Sequence, residues 1–431
     1  MPRSLVAGVL AAVLLVACAP AAGVPEGTRP VASDLEPNAE AEALPALYGS
    51  VTRREKSPDT GKEAVREHAD TTVAFAVDLY RELAGGQGNL VLGPHSLSTA
   101  LLMAYAGARG ATATQMGDVL HLASDGDGLY DAVNALDLAL TEGGSAGVEL
   151  RLANRAWPQE GMAFLDDYLD ILTGSFGAPL VPVDFTGDSE GARRTINRWG
   201  EELTDGGIEE LFPQGSITPM TVLVLANGVH LDAQWAFPFD PEQTRPGGFT
   251  LADGTPVQVP MMRYDQELPS AEGEGWQAVE LPYAGEELSM VVIVPDDLTA
   301  FESSLTADAL TTILDAPVMD GIHLTLPRFE ARSHVDMIPP LQALGMTDAF
   351  QQGLADLSGM TGSRGLFIDA VEHEAFVTVD EAGTEAGALS GVAVAGSHGP
   401  TVDVNRPFLF AIRDIQTGAL LFLGRVLDPR A

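Results

Sequence analysis

The spacing of apolar residues predicts helices in the first half of the chain and strands in the second. Asp70-Thr71-Thr72 can cap a helix, because short oxygen-bearing side chains accept hydrogen bonds from free backbone amides, and Phe75, Leu79 and Leu83 follow at helical spacing. Further helices are predicted after Gly93-Pro94-His95-Ser96 and at residues 112–122, 128–140, 164–176 and 193–204. Strands are predicted at residues 220–225, 289–295, 321–326, 366–379 and 420–426. The predicted helices come first along the chain and most of the strands follow, without regular alternation of strand and helix. This order predicts an α+β fold built on large antiparallel sheets.

The N-terminus has the pattern of an export sequence. Arg3 precedes an apolar run at residues 6–16, which is shorter than the ~20 residues needed to span a bilayer but typical of a signal peptide. Leu15-Val16-Ala17-Cys18 then resembles a bacterial lipobox, in which the cysteine becomes the lipidated first residue of the mature chain. Cys18 is the only cysteine of the sequence, and the alternative interpretation is a cysteine packed in the core.

Three regions follow from this interpretation. We expect residues 1–17 to be a lipoprotein signal peptide and residues 18–68, rich in Ala, Pro, Glu and Gly, to be a lipid-anchored flexible linker. Residues 69–431 are predicted to form the folded domain, with no second boundary inside it. The protein is therefore expected to be exported and anchored by lipid at the bacterial cell envelope. The sequence does not distinguish the inner from the outer membrane.

The charge of the chain argues against a nucleic-acid surface. There are 23 Lys and Arg against 61 Asp and Glu, so the formal net charge is −38. Because every bound phosphate needs a nearby cation, we expect no nucleic-acid partner, and the lack of a basic cluster argues against a heparin site. The acidity has two alternative explanations: a salty environment, which screens self-repulsion, or the codon usage of a GC-rich genome.

Residue patterns typical of enzymes are incomplete in this chain. Gly143-Gly144-Ser145-Ala146-Gly147 matches the Gly-x-Ser-x-Gly pattern, but a helical stretch precedes it and a strand-like run follows, the reverse of a nucleophile elbow. Asp125-Gly126-Asp127-Gly128 begins like a calcium loop and lacks the later ligands. The eight histidines show no metal-binding spacing. We expect no catalytic residue, no metal and no cofactor.

A long stretch of small residues connects the predicted strand at 366–379 to the next strand-like segment, near Val402. Connections of roughly 20 residues are uncommon in compact domains unless they are functional or disordered. Because side chains alternate along a strand, this stretch can enter a sheet with its even positions buried at little steric cost. Those even positions are small or β-branched: Thr384, Ala386, Ala388, Ser390, Val392 and Val394.

With these residues the chain resembles the serpin family over essentially all of residues 70–431. The resemblance rests on ordered short motifs, among them Asn227-Gly228-Val229-His230, Phe237-Pro238-Phe239-Asp240 and Leu326-Pro327-Arg328-Phe329. It implies three β-sheets, about nine helices and an exposed reactive-centre loop. In inhibitory serpins a protease attacks this loop and forms an acyl-enzyme, and the cleaved loop then inserts into the main sheet and distorts the protease before deacylation.

The resemblance also implies roles for individual residues. Glu381 and Arg328 resemble the charge pair near Trp235 where the loop first enters the sheet, here named the breach; the alternative is an ordinary exposed salt bridge. Three residues resemble the hydrogen-bonded cluster beneath the opening strands, here named the shutter: Ser96, Asn227 and His373. The alternative for His373 is a buried core histidine. The resemblance implies a hinge in which the glycine and the small residues permit insertion. The hinge comprises Glu381, Gly383, Thr384, Glu385, Ala386, Gly387 and Ala388.

The cleaved bond is located by counting. Counting forward from Glu381 places the residue before the bond at Ser397, and counting back from Asn405 places it at Gly396. Ala395 and His398 are the flanking alternatives. Since the segment lacks Arg, Lys and large aromatic residues, we expect the targets to be elastase-like or subtilisin-like serine proteases, trapped in a covalent complex. We expect the inhibitor itself to be a monomer. A non-inhibitory serpin acting as a surface binding protein and a ligand-binding surface lipoprotein are the alternatives.

Overall fold

The computed structural model describes residues 11–18, 28–30, 53–122, 127–142, 146–208, 210–384 and 401–430. The described part contains ten α-helices, against the nine or so expected, and two short 3₁₀ helices at Pro241–Gln243 and Asp348–Phe350. The α-helices are α1 (Lys62–Leu83), α2 (Pro94–Tyr105), α3 (Gly110–Val119), α4 (Asp127–Glu142), α5 (Asp166–Gly174), α6 (Phe185–Leu203), α7 (Leu298–Ser304), α8 (Ala307–Asp315), α9 (Ile338–Leu344) and α10 (Ser358–Thr361).

The strands form three sheets, so the predicted α+β class is confirmed. The main sheet has six strands in the order β1-β13-β14-β6-β4, with β12 paired to β13; β1 also pairs with β6, so that β1 and β14 both lie between β13 and β6. The second sheet has nine strands in the order β15-β11-β8-β9-β10-β16-β17-β3, with β7 paired to β8, and the third is β2-β5. The strands are β1 (Ala11–Cys18), β2 (Thr28–Pro30), β3 (Leu90–Leu92), β4 (Val148–Pro158), β5 (Ala163–Leu165), β6 (Thr221–Gln234), β7 (Arg245–Thr250), β8 (Pro256–Gly273), β9 (Trp276–Pro282), β10 (Leu288–Pro295), β11 (Val318–Pro327), β12 (Phe329–Asp336), β13 (Leu366–Val379), β14 (Gly383–Thr384), β15 (Thr401–Asp403), β16 (Phe408–Asp414) and β17 (Leu420–Val426).

Helix α1 begins at Lys62, eight residues before the predicted cap. Thr71 and Thr72 do not cap it, because both hydroxyls donate to the carbonyl of His68, at 2.8 and 3.1 Å, inside the helix. The predicted domain boundary at residue 69 therefore falls within a helix. The chain is packed even before it, since the Glu55 amide donates to the carbonyl of Gly174 at 2.9 Å. The folded part thus includes the end of the predicted linker.

Helix α2 is buried along almost its whole length and contacts both β6 of the main sheet and β17 of the second sheet. Its sequence explains this position, because Leu97, Leu101, Leu102 and Met103 are apolar and the helix carries no Asp, Glu, Lys or Arg. The helix begins with Pro94 at its first position, where the missing amide costs no intrahelical hydrogen bond. This arrangement brings the N-terminal end of α2 beneath the middle of the main sheet.

The predicted signal-peptide run adopts a structure that the sequence analysis did not anticipate. Ala11–Cys18 is a central strand of the main sheet, antiparallel to both β13 and β6. The physical reason is that this uncharged, proline-free segment can satisfy the backbone groups that two separated strands present to each other. No helix within the described residues is long and apolar enough to cross a bilayer.

Candidate functional site

The start of the predicted loop is already seated in the main sheet. A tight turn follows β13, where the Asp380 carboxylate accepts from the amides of Ala382, at 2.8 Å, and Gly383, at 3.3 Å. The chain then enters between two strands as β14, with Thr384 opposite Val379 of β13 and Ala233 of β6. The hinge therefore begins an additional strand before any cleavage of the loop.

Gly383 is required at this point because the backbones approach closely. A Cβ at residue 383 would overlap the carbonyl oxygen of Ala233 and lie 2.7 Å from the Cα of Gln234. The family resemblance placed Gly383 in the hinge as a residue that permits insertion. The structure gives close approach to β6 as the reason, since Gly383 does not have a positive φ.

Thr384 is buried, with 1% of its surface exposed. Its hydroxyl lies 2.7 Å from the hydroxyl of Tyr283, and the Tyr283 ring stacks on Trp235 with centroids 4.7 Å apart. Burial raises the pKa of Tyr283 well above its usual value, so its hydroxyl stays protonated and can donate. Thr384 thus occupies a buried polar site that fits a small hydroxyl group.

The predicted breach residues meet at the entrance of this site. Arg328 contacts Oε1 of Glu381 through Nε at 2.8 Å and through Nη2 at 2.5 Å, and the hydroxyl of Thr244 donates to the same oxygen. The Trp235 indole donates to the carbonyl of Asp380 at 3.0 Å. The Glu381 side chain is 7% exposed and that of Arg328 45%, so the pair joins a buried carboxylate to a half-exposed cation.

Removing this cation should weaken the hinge. We expect Arg328→Ala to lower the apparent free energy of unfolding by about 1–2 kcal/mol, because Glu381 keeps only part of its hydrogen bonding in a buried position. Arg430→Ala is the matched control, since its ion pair with Asp428 lies at the surface, where solvent screening makes such pairs contribute little. Urea midpoints measured side by side test the difference, and equal losses in both variants would contradict it.

The predicted shutter residues lie close together but do not form one hydrogen-bonded cluster. The Ser96 hydroxyl donates to the carbonyl of Asn227 at 3.4 Å, and the amide of Gly93 donates to Nε2 of His373 at 3.2 Å. His373 bonds neither Ser96 nor Asn227, because β1 separates the strands and its residue Ala12 is opposite both Asn227 and His373. Burial, reinforced by His334, lowers the pKa of His373 to about 3, so the ring is neutral.

Sequence reasoning missed a polar group beside the shutter. Asp137 is fully buried on α4, and its carboxylate accepts hydrogen bonds from Asn154 at 3.2 Å and from Arg54 at 3.3 Å. Nε2 of His95 lies 3.0 Å from the other carboxylate oxygen, Oδ1. Burial alone would raise the pKa of Asp137, but the hydrogen bond and charge of His95 and the charge of Arg54 outweigh it and lower the pKa. Asn154 also accepts from Asn227 at 2.6 Å, which links the group to the main sheet. The available clue was an aspartate at a core-facing position of a predicted helix.

The remaining predicted residues of the loop lie outside the described part of the chain. They are Glu385, Ala386, Gly387, Ala388, Ala395, Gly396, Ser397 and His398. The chain resumes as β15, which pairs in parallel with β11 at the edge of the second sheet. Cys18, the predicted lipidation site, is the last residue of β1 and is opposite Leu366. Among the described residues, no group of three or more His, Cys, Asp and Glu could hold a metal ion.

Comparisons with known proteins agree with this arrangement. A family model described as "Serpin (serine protease inhibitor)" matches residues 70–429. An uncharacterized serpin-like protein of Thermococcus kodakarensis is 35% identical over 387 residues, which are 86% of this chain and 89% of that protein. The human leukocyte elastase inhibitor is 35% identical over 371 residues, 82% of this chain and 97% of its own. The crystal structure of tengpin, a thermophilic serpin in the native state, matches with a TM-score of 0.77 at 27% identity, covering 88% of this chain and 97% of tengpin.

Proposed function

Because the chain belongs to the serpin family, we propose that it is a suicide inhibitor of serine proteases that works by inserting its cleaved loop into the main sheet. The observation that carries the proposal is the seating of Gly383–Thr384 between β13 and β6. A small, buried threonine at the first inserted position fits further insertion of the loop. A charged or bulky residue there would stop the loop at the entrance.

The length of β13 matches the length of loop that must be inserted. Thr384 is opposite Val379, so continuing the antiparallel register places Ser397 opposite Leu366, the first residue of the strand. The fourteen residues of β13 can therefore pair with the whole segment between the hinge and the predicted cleaved bond. A protease attached at Gly396 or Ser397 would be carried the full length of the main sheet.

The residues around the cleaved bond select the target class. Gly396 and Ser397 are small, and proteases with small or shallow specificity pockets, elastase-like or subtilisin-like, accept such residues. Relatives named leukocyte elastase inhibitor are 34–36% identical to this chain, which supports the elastase-like class. Export and lipid anchoring through Cys18 belong to the same proposal, and would place the inhibitor at the envelope, where it meets proteases from outside the cell.

The test uses the chain that begins at residue 18, with Cys18→Ser to keep it soluble, mixed with elastase-like, subtilisin-like, chymotrypsin-like and trypsin-like enzymes. A band at the summed mass of inhibitor and protease on a denaturing gel is the expected result for the first two classes. Mass spectrometry of the released C-terminal peptide then identifies the cleaved bond. The matched control is the same protease with its nucleophilic serine replaced, which cannot form the acyl-enzyme.

Loop cleavage should also stabilise the protein strongly. Insertion adds about twelve residues paired on both sides, and at about 1 kcal/mol per net hydrogen-bonded pair the gain is on the order of 10 kcal/mol. For a domain of this size the melting temperature should rise by roughly 10–20 °C. Cleavage without stabilisation, and with the protease still active, would reject the proposal in favour of a non-inhibitory binding serpin.

A further inference from the structure

Two segments of the chain share one position in the main sheet. β14 pairs with the last residue of β13 and with Ala233 and Gln234 of β6, at one end of the two strands. β1 lies between the same two strands nearer their other end, where Ala11 is opposite Glu374 and Gly228. The space between β6 and β13 therefore holds the hinge at one end and residues 11–18 along the rest.

The register of β1 coincides with the register that the cleaved loop needs. Continuing the pairing of β14 places Leu389 opposite both Glu374 and Gly228, which are the two partners of Ala11. The same continuation places Ala393 opposite Ala370 and Val224, which are the two partners of Leu15. The cleaved loop cannot pair with these residues of β6 and β13 while β1 is paired with them, so β1 and the inserted loop exclude each other.

The two segments are also chemically alike. Residues 11–18 read AAVLLVAC and residues 389–396 read LSGVAVAG, and both are uncharged and free of proline. Such composition suits a central strand, whose two edges are both hydrogen-bonded and whose two faces are covered. The space between β6 and β13 is thus a site for an extended, uncharged strand, and the chain contains two segments that fit it.

We propose that residues 11–18 of the uncleaved chain occupy this strand-binding site and prevent protease trapping until they are removed. This inference rests on the proposed function, because it concerns the step at which the cleaved loop enters the sheet. Cleavage before Cys18 would remove the whole of β1 except its last residue. The leader would then serve as an internal inhibitor of the precursor as well as an export sequence.

The shutter supplies a reason why the site can close once β1 has left. Oδ1 of Asn227 and Nδ1 of His373 are buried and have no hydrogen-bond partner among the described residues, and they lie on strands either side of Ala12. Nε2 of His373 accepts from Gly93, so the proton of the neutral ring is on Nδ1, a donor. Asn227 uses its NH₂ group on Asn154 and keeps Oδ1 as an acceptor. Withdrawal of β1 would let this donor and acceptor pair as β6 and β13 approach.

The position of β1 can be tested without a protease. Cys18 is opposite Leu366, and directly opposed residues of antiparallel strands have Cα atoms about 4.5–5.5 Å apart, within the range of a disulfide. Full-length Leu366→Cys chain, made by cell-free synthesis so that the leader is retained, should form an internal disulfide on mild oxidation. The control Ser304→Cys places the new thiol on α7 and should form none. A Leu366→Cys chain that behaves like this control would overturn the proposal.

The consequence for inhibition is tested with four proteins and one elastase-like protease. We expect the full-length chain to trap at least tenfold more slowly than the chain beginning at residue 18. Full-length Leu14→Asp should recover the fast rate, because Leu14 lies between Leu225 and Val371 and a charge there disfavours β1. Leu35→Asp, the same change outside residues 11–18, should stay slow.

The outcomes separate this inference from the proposed function. Equal rates for the full-length chain and the chain from residue 18 would overturn occlusion and leave inhibition standing. A slow Leu14→Asp variant beside a fast chain from residue 18 would also overturn it, since the leader would then act without forming β1. Failure of the chain from residue 18 to trap any protease would reject the proposed function itself.

Discussion

Thr384→Arg should convert the inhibitor into a substrate: the protease cleaves the loop, deacylates and is recovered active. The reason is the site that Thr384 occupies, buried and closed by the hydroxyl of Tyr283, with only 1% of the residue exposed. An arginine there needs a counterion, and Glu381, the hinge carboxylate within the described residues, is already paired with Arg328. Burying an unpaired charge costs about 3 kcal/mol or more, which slows insertion roughly 100-fold relative to deacylation.

The measurement is the number of inhibitor molecules consumed per protease inactivated, with the covalent complex quantified on denaturing gels. Glu385→Arg is the matched control, because residue 385 is next in sequence and has the opposite strand parity, so its side chain is expected on the outer face of the sheet. We expect that variant to inhibit within about a factor of three of the parent. If Thr384→Arg traps protease as well as Glu385→Arg does, insertion does not pass through the site seen here.

The sequence pattern was informative at the hinge because the constraint there is local. Alternation along a strand needs only neighbouring residues, and it correctly places Thr384 at a buried position. The contact between Glu381 and Arg328 joins residues 53 apart, and only the family resemblance pointed to it. Physical reasoning on the residues alone left an exposed salt bridge as the alternative, since charge and spacing do not reveal burial.

Two features were out of reach of sequence reasoning for different reasons. The buried group around Asp137 joins side chains from the N-terminal segment, α2, α4 and β4, and no periodicity relates such distant positions. The eight residues of β1 are apolar without alternation, a pattern that a signal peptide and a fully buried strand share. Hydropathy alone therefore could not predict this strand, whose position depends on its distant partners β6 and β13.

Mild acid should destabilise the fold because it contains buried neutral histidines. Burial lowers the pKa of His373 to about 3, with a contribution from His334. Burial, with a contribution from His95, likewise lowers the pKa of His68 to about 4. Both rings stay neutral at pH 5, whereas in the unfolded chain, with a pKa near 6.5, they take up protons. The unfolded state then binds more protons, so stability falls as the pH falls below about 6.5.

His334 has the opposite linkage and does not cancel this loss. Hydrogen bonds to Glu372 and Glu374 raise the pKa of His334 to about 10, so its contribution is fully present below pH 6.5 and is lost only as the pH rises toward 10. The carboxylates with lowered pKa, such as Asp137, contribute above about pH 4 and lose their effect only below it. The interval from pH 6.5 to 5 therefore isolates the buried histidines.

Across that interval we expect the full-length chain to lose at least about 3 kcal/mol of apparent unfolding free energy, about 1.5 kcal/mol from each of His68 and His373 and a further part from His230, whose pKa is also lowered by burial. The melting temperature at constant ionic strength should fall by roughly 3–6 °C. His68→Gln should clearly reduce the slope, because it removes one of the buried titrating rings and leaves His373 and His230, and His334→Gln should leave it nearly unchanged. A flat profile, or the same slope in His68→Gln as in the parent, would mean that these histidines are not buried and neutral in solution.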